Sequence, residues 1–592
     1  MQNPCRQCNA VFEISANDVK FYDEISPVFG GKKYLIPAPS LCPDCRMQRR
    51  NAWRNERKFY KRTCDLCKKT ILAMYDSNAR MPVYCLDCWW SDDWDAMQYG
   101  RDFDFSRSFF EQFDDLRNQV PHFSLSVLHS TMENSDYCNH AGFLKNCYLL
   151  FNSDTSEKCM YGKGINRCFD CIDCFKVYDC QACYEAINCN NCSFSTFLLD
   201  SYNCDSCHFS ANLVGCRNCF GCVNLRNKEY YFFNEKLTRE EYEKRVSEIR
   251  KKPLEHIQAK FLNFRAEQVA KWMQEKNTEN CTGEYLVNSK NCFNCFDCEF
   301  LEESKYCTDL KKGDKVSFKN HDISYFGLGI DFSYECSVGG YNANHTVFCE
   351  NVWQGNDIFY SQLCMQSSNN LFGCIGLKHA SYSILNKKYS KEEYEKMVPR
   401  IISHMCKDVR AHGASAQASE IGSRGSQLSE AELTNKEWGE FFPVSMSPFG
   451  YNETTAFECY PLEKESVIKK GWKWKIEKEP DYSGVTKILP TDQLPSDIGL
   501  VTDDILQSCI RCAESGKLFK IQVMELAFYR KMNLPLPKFH PDIRHFRRLA
   551  LRRPRKLYKR PCAKCQAEIQ TSFAPGCAEK VFCEKCYLAE IY

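Results

Sequence analysis

The sequence predicts a mainly β, multi-domain protein with paired cysteine-knuckle modules at both ends and two cysteine-rich repeat tracts between them. Three observations carry this. Cysteine numbers 41 of 592 residues, and many pairs have the spacing C-x-x-C. Residues 42–88 recur without a gap as residues 540–586. Residues 221–246, "GCVNLRNKEYYFFNEKLTREEYEKRV", recur as 373–398, "GCIGLKHASYSILNKKYSKEEYEKMV". The chain is longer than a single core usually supports, and its ordinary apolar content suits a folded protein.

The first module spans 1–125. Cys5, Cys8, Cys42 and Cys45 form one four-thiolate set, and Cys64, Cys67, Cys85 and Cys88 form a second. Each C-x-x-C turn aims two thiolates at one point, and two such turns complete the closed tetrahedral four-sulfur site typical of structural zinc. The last module, 501–592, repeats the second set as Cys562, Cys565, Cys583 and Cys586. Cys509 and Cys512 open a fourth set, but His540 and Ile543 stand where Cys42 and Cys45 align. His540 is the candidate third ligand there, with His545 or Asp542 as the fourth. The expected cofactor is zinc, at three sites with the fourth left open. A catalytic zinc needs a free coordination position, and nothing in the spacing provides one.

Between the knuckles lie two matching basic stretches. "CRMQRRNAWRNERKFYKRTC" (45–64) has one acidic residue, and 544–561 has none. At about 100° per residue, Arg46, Arg49, Arg50, Trp53 and Arg54 share one helical face. Pro554 sets the end of the corresponding helix in the last module. "RKFYKR" (57–62) and "RKLYKR" (555–560) then run on in a more extended form. The expectation is a basic ridge held at both ends by metal, able to meet phosphates with Arg46, Arg49, Arg50, Arg54, Arg57, Lys58 and Lys61. Arg544, Arg547, Arg548, Arg552, Arg555, Lys556 and Lys559 form the second ridge. Trp53, Tyr60 and Tyr558 are placed to stack on unpaired bases, which favours RNA over duplex DNA. The competing reading pairs these cations within the molecule or leaves them in solvent.

Tract 126–250 shows cysteines recurring at a period of 21, for example Cys138, Cys159 and Cys180. A fixed period near 20 means stacked supersecondary units, read here as a parallel β-solenoid of about four coils. Tract 281–405 is a second, more eroded β-solenoid. Both end in capped helices, at Thr238 with Glu241 and at Ser390 with Glu393. The interior cysteines read chiefly as small buried apolar groups stacked in ladders, with further metal or a redox cluster as lesser alternatives. Residues 251–280 read as a mostly helical connector. Residues 406–435 read as a flexible linker, and 436–500 as an irregular aromatic segment without an assignable fold. The fold class expected is thus two double zinc-ribbon or treble-clef-like modules flanking two cysteine-rich parallel β-solenoids with helical caps.

The net charge of +2 decides nothing about partners, so only local clustering does. No signal peptide or transmembrane run is seen, and the thiol usage suits a reducing compartment, so a cytoplasmic location with no membrane partner is expected. The stretches "LCPDCRMQRRNAWRNERKFYKRTC", "VYCLDCWWSDDWDAMQYGRDFDFSR", "FGCVNLRNKEYYFFN" and "PLPKFHPDIRHFRRLALRRPRKLYKRPC" together resemble a family of cysteine-rich zinc-ribbon proteins of candidate-phyla bacteria. The resemblance implies zinc modules around a repeat core and brings no activity with it. The expected function is non-enzymatic binding of structured or single-stranded RNA. The alternative is a protein-interaction scaffold using the solenoid faces, and a metal or redox protein comes third.

Overall fold

The computed structural model describes residues 1–407, 436–477 and 482–591. The linker expected at 406–435 lies outside these residues from 408 onward. Among the described residues the protein is mainly β, with twelve α-helices and two large parallel sheets. No sheet closes on itself. No described helix is long and apolar enough to cross a membrane.

The first sheet has eleven strands in chain order, from Met132–Glu133 to Glu235–Lys236. All pair in parallel except the last, which folds back as a hairpin. Lys163 pairs with Phe175, Phe175 with Ile187, and Asp205 with Arg217, a register step of twelve residues. Bridges outside the strands, such as Met160 with Ile172 and Phe169 with Gln181, keep the same step.

The local cause is a three-residue unit. From Arg167 to Asn191 every third residue is left-handed, with φ between 51° and 56°. Asn and Asp, which tolerate this conformation best among non-glycine residues, take many of these corners. The residue after each corner points inward: Cys168, Cys171, Cys174, Val177, Cys180, Cys183, Ala186, Cys189 and Cys192 are all buried. The interior is narrow, so small side chains fill it. Cysteine adds a weak donor, and the Cys168 thiol donates to the Asn166 carbonyl at 3.2 Å and reaches the Val177 carbonyl at 3.5 Å.

This corrects the expected period. Twenty-one residues are a whole number of three-residue units but not of twelve-residue steps, so Cys138, Cys159 and Cys180 do not stack. The real column is Cys168, Cys180, Cys192, Cys204 and Cys216, and the tract holds about seven steps rather than four.

The second sheet has fourteen strands, from Glu275–Glu279 to Lys387–Lys388. Its step varies. It is twelve residues between Glu284 and Phe296, lengthens between Thr308 and Ser324, and is thirteen between His321 and Tyr334. Extra residues at the corners shift the cysteines out of phase, which is why no period is visible there. Both capped helices form as expected. Thr238 caps Arg239–Arg250 and Ser390 caps Lys391–Met405, each with a reciprocal glutamate. The connector is helical only over Leu254–Glu267. It then turns into strands Val269–Lys271 and Glu275–Glu279, the former pairing with Lys580–Phe582 of the last module.

The cores show how the units are joined. One apolar cluster unites Phe21, Tyr22, Trp53 and Phe109 of the first module with Tyr334, Phe348, Phe372 and Ile401 of the second tract. Another unites Met160, Tyr161 and Tyr184 of the first tract with Ile510, Phe528 and Tyr529 of the last module. Each terminal module therefore packs on the tract from the opposite half of the chain. The aromatic segment after 436 is short-helical and fills the gap, with Phe441 and Phe442 in the first cluster and Tyr451 stacked on Trp472.

Candidate metal centres and the arginine clamps

Three four-cysteine groups are assembled: Cys5, Cys8, Cys42 and Cys45; Cys64, Cys67, Cys85 and Cys88; and Cys562, Cys565, Cys583 and Cys586. Within each group the four sulfurs lie within 4.8 Å of one another. The local folds match. A tight hairpin offers the first pair, with Asn9, Lys68 or Gln566 in the left-handed corner after the second cysteine. A helix start offers the second pair, with Cys42 and Cys85 at the N-cap.

Backbone donors pre-organise the thiolates. The Cys85 amide donates to Cys64 Sγ at 3.2 Å, and the Cys583 amide to Cys562 Sγ at 3.3 Å. Burial alone raises the Cys64 thiol, but the amides of Cys85, Cys67 and Leu66 outweigh it and bring it down to about 7. At Cys562 the amides of Cys565, Cys583 and Lys564 likewise overcome burial and bring it to about 6. Such groups can hold a tetrahedral, thiolate-preferring metal ion.

The fourth site does not assemble among the described residues. Cys509 and Cys512 are buried in a matching hairpin. His540 instead caps helix Pro541–Ala550, its Nδ1 accepting from the Asp542 amide at 3.2 Å. His545 Nε2 bonds Glu458 at 3.0 Å, and Asp542 accepts from Arg57 at 3.0 Å. Each candidate replacement ligand is committed elsewhere.

The basic ridges are where the structure departs most from expectation. Arg46, Arg49 and Arg50 lie on helix Pro43–Asn51, Trp53 and Arg54 follow just beyond its end rather than on its face, and all five are buried. Arg46 and Arg50 both reach Asp322, at 2.8 and 3.1 Å, and Glu335 at 3.4 and 3.5 Å. Arg49 bridges Glu335 at 3.2 Å and Glu440 at 2.7 Å. Arg54 donates to Glu56 at 2.7 Å, and Trp53 packs on Phe442.

The last module repeats this on the other tract. Arg544 and Arg548 both reach Asp173, and Arg548 also reaches Glu185 at 3.0 Å. Past the helix end, Arg552 and Arg555 turn instead to the second tract, both meeting Asp297, and Arg555 also meets Asp309. Asp173 and Glu185 are one register step apart in left-handed corners, as are Asp322 and Glu335. One step earlier each column presents a tyrosine ring to an arginine: Tyr161 under Arg544 at 4.4 Å and Tyr306 under Arg46 at 5.2 Å. Two equivalent columns, Tyr161–Asp173–Glu185 and Tyr306–Asp322–Glu335, receive two equivalent helices. With these partners the clamp arginines are not open to phosphate.

The other ridge residues divide. Arg57 lies over Phe151, Lys58 pairs with Glu477 at 2.7 Å, and the Tyr60 hydroxyl donates to Glu453. Lys61, Arg547, Lys556 and Lys559 remain exposed, Arg547 beside Glu514 and Lys559 beside Glu568, while Tyr558 is half-buried. The carboxylate columns escaped sequence reasoning. Only the twelve-residue step aligns Asp173 with Glu185, and that step was hidden by the apparent period of 21.

A buried hub joins the first module, the first tract, the aromatic segment and the last module. Lys163 of the first tract contacts Glu56 of the first module and Glu458 of the aromatic segment, both at 2.6 Å, and Glu458 accepts from His545 of the last module. Lys163 and Arg54 hold the Glu56 carboxyl down at about 2 against the effect of burial.

No family model matches this chain, and no curated protein matches it. Among solved structures, one from Desulfovibrio desulfuricans G20, assigned as an acetyltransferase, aligns at 11% identity over 40% of this chain and 60% of that one. Its TM-score is 0.10, so it carries no argument about fold or activity.

Proposed function

We propose that the protein is a zinc-stabilised interaction scaffold. In this reading the two tracts are parallel β-solenoids, the first of twelve-residue coils and the second of less regular ones, and the four-cysteine groups are structural zinc sites. The terminal zinc modules act as clamps that fix the solenoids against one another. The observation that carries the reading is the burial of both arginine helices against carboxylate columns, which turns the cations inward. The free lateral side of the first solenoid is left to meet a partner. There Phe143 and Phe194 are exposed at left-handed corners, and Phe169 is exposed one residue before the corner at Asp170. Exposed aromatics of this kind favour a protein partner. All cysteines are free, which suits a reducing compartment such as the cytoplasm.

The test is photo-crosslinking in cells with a benzophenone side chain at Phe143, Phe169 or Phe194. Discrete protein adducts at two or more positions support the scaffold. Adducts to nucleic acid alone, or none, overturn it.

A second reading keeps RNA as the ligand. It rests on Lys61 and Lys69 of one zinc hairpin and Lys556 and Lys559 of the other, all exposed. Fluorescence anisotropy with structured RNA, single-stranded DNA and duplex DNA at two salt concentrations tests it. Binding with a steep salt slope, abolished by replacing these four lysines with Glu, would establish it. Absence of binding retires it.

A further inference from the structure

A cleft of about 280 Å³ lies between the two tracts and the second metal group of the first module. Neither the metal centres nor the clamps account for it. Its wall from the first tract runs along the corner column His140, Asn152, Gly164 and Lys176, each one twelve-residue step from the last, with the polar Ser153, Asp154 and Asn166 beside it and Leu128 at its start, over Gly142. Three steps at about 4.8 Å, about 14 Å, separate His140 from Lys176 along the slot. The facing wall comes from the second tract in reverse chain order, from Met365 and Trp353 through Val338 and Phe326 to Lys311 and Glu299.

Contacts fix this direction. Val127 and Trp353 pack on one cluster containing Leu125 and Met365, while Lys311 lies 4.5 Å over the Tyr178 ring at the opposite end.

The slot is therefore polarised. One end is apolar, with Leu128 and Trp90 partly exposed beside Trp353 and Met365. The other end gathers Lys176, Lys311, Lys312 and Arg167 around two carboxylates, Asp309 and Glu299. Lys176 pairs with Asp309, Lys311 with Glu299 at 3.3 Å, and Arg167 with Asp179. Lys312 is exposed, rests near the Phe300 ring at 5.1 Å, and makes no ion pair among the described residues. A groove with one apolar wall, Met365, Trp353, Val338 and Phe326, closed by a surplus cation, complements a linear ligand with one anionic head.

We propose that this cleft binds a linear anionic amphiphile, an extended apolar chain ending in a carboxylate. The chain lies against the Met365, Trp353, Val338 and Phe326 wall, and the carboxylate is held by Lys312 with Lys311. The test uses zinc-loaded full-length protein and dodecanoate below its micellar concentration, followed by isothermal calorimetry and by tryptophan fluorescence from the Trp90–Trp353 end. Dodecyltrimethylammonium serves as the head-group control.

Expected is one saturable site for dodecanoate that binds at least about tenfold tighter than the cationic analogue. Lys312→Glu, an exposed substitution outside the clamps, weakens it about tenfold. Val338→Trp, which fills the slot, abolishes it. Should Val338→Trp fail to fold by near-ultraviolet circular dichroism, Lys312→Glu decides. Equal binding of both head groups, no effect of Lys312→Glu, or no saturable site overturns the proposal. The substituted positions, Lys312 and Val338, make no clamp ion pair, so these outcomes do not bear on the clamps.

Discussion

Asp173 is the centre of the clamp on the first tract. It is fully buried and takes both Arg544 and Arg548. Asp173→Asn keeps the shape and removes the charge. Removing one partner of a buried ion pair costs about 3–5 kcal/mol, because an uncompensated charge stays behind. Arg544 retains Glu525 at 3.4 Å and Arg548 retains Glu185 at 3.0 Å, so the expected loss is at the low end, about 3 kcal/mol. A chain of several units need not unfold in one step, so the right assay is native-state hydrogen exchange, which reports opening of each unit. Protection should fall in helices Val523–Met532 and Pro541–Ala550 and remain in helix Pro43–Asn51. Asp322→Asn should do the reverse, loosening Pro43–Asn51, since Arg46 and Arg50 likewise keep only Glu335. A loss under about 1 kcal/mol in both variants, or loosening that does not follow the crossed pattern, would refute the clamp argument.

Other expectations follow from the same geometry. Metal analysis of protein purified without chelators should give three equivalents of zinc. Cys565→Ala should remove one, and Cys509→Ala should leave the count at three. Iodoacetamide should label exposed Cys406 readily, while Cys168, Cys180 and Cys192 stay unmodified until the fold opens; fast labelling of these three would contradict the buried column. Glu350 is buried, with its carboxyl pushed up to about 8 by burial that Gln362 and Arg54 only partly offset. Its native value lies above the unfolded one, so the native state holds a proton that the unfolded state has released. Stability should therefore fall as pH rises from about 4.5 through 8, and Glu350→Gln should flatten that fall by a few kcal/mol at most, about 1.4 per pH unit. An unchanged pH profile in the variant would count against the carboxyl being held neutral.

Much of this was legible from spacing. The knuckles at Cys64, Cys67, Cys85 and Cys88 form because ligand geometry is set by local turns, which sequence spacing encodes directly. The capped helices at Thr238 and Ser390 were readable for the same reason. The fate of Arg46, Arg50, Arg544 and Arg548 was not, because a basic helix looks the same whether it faces phosphate or carboxylate. Its partners Asp322 and Asp173 lie hundreds of residues away, in the opposite half of the chain. The alignment of Asp173 with Glu185 depends on a step of four three-residue units, that of Asp322 with Glu335 on a step one residue longer, and the substitution of Leu, Val, Ala and Ser among the inward cysteines masks both. His540 was read as a ligand by alignment alone. The cap it makes to Asp542 shows how a lost cysteine partner frees an imidazole for backbone work.

The crossed docking of the terminal modules is the claim on which the rest depends, and zero-length carbodiimide crosslinking with peptide mass spectrometry tests it most directly. Exposed ion pairs between units supply the reporters: Lys319 with Glu24 at 2.9 Å, Lys387 with Asp102 at 2.6 Å, Lys531 with Asp170 at 2.6 Å and Lys538 with Glu255 at 2.8 Å. The account predicts amide links 24–319 and 102–387 between the first module and the second tract. It also predicts 170–531 and 255–538, which join the first half of the chain to the last module. Links that instead join each module only to the tract next to it in sequence would contradict the account.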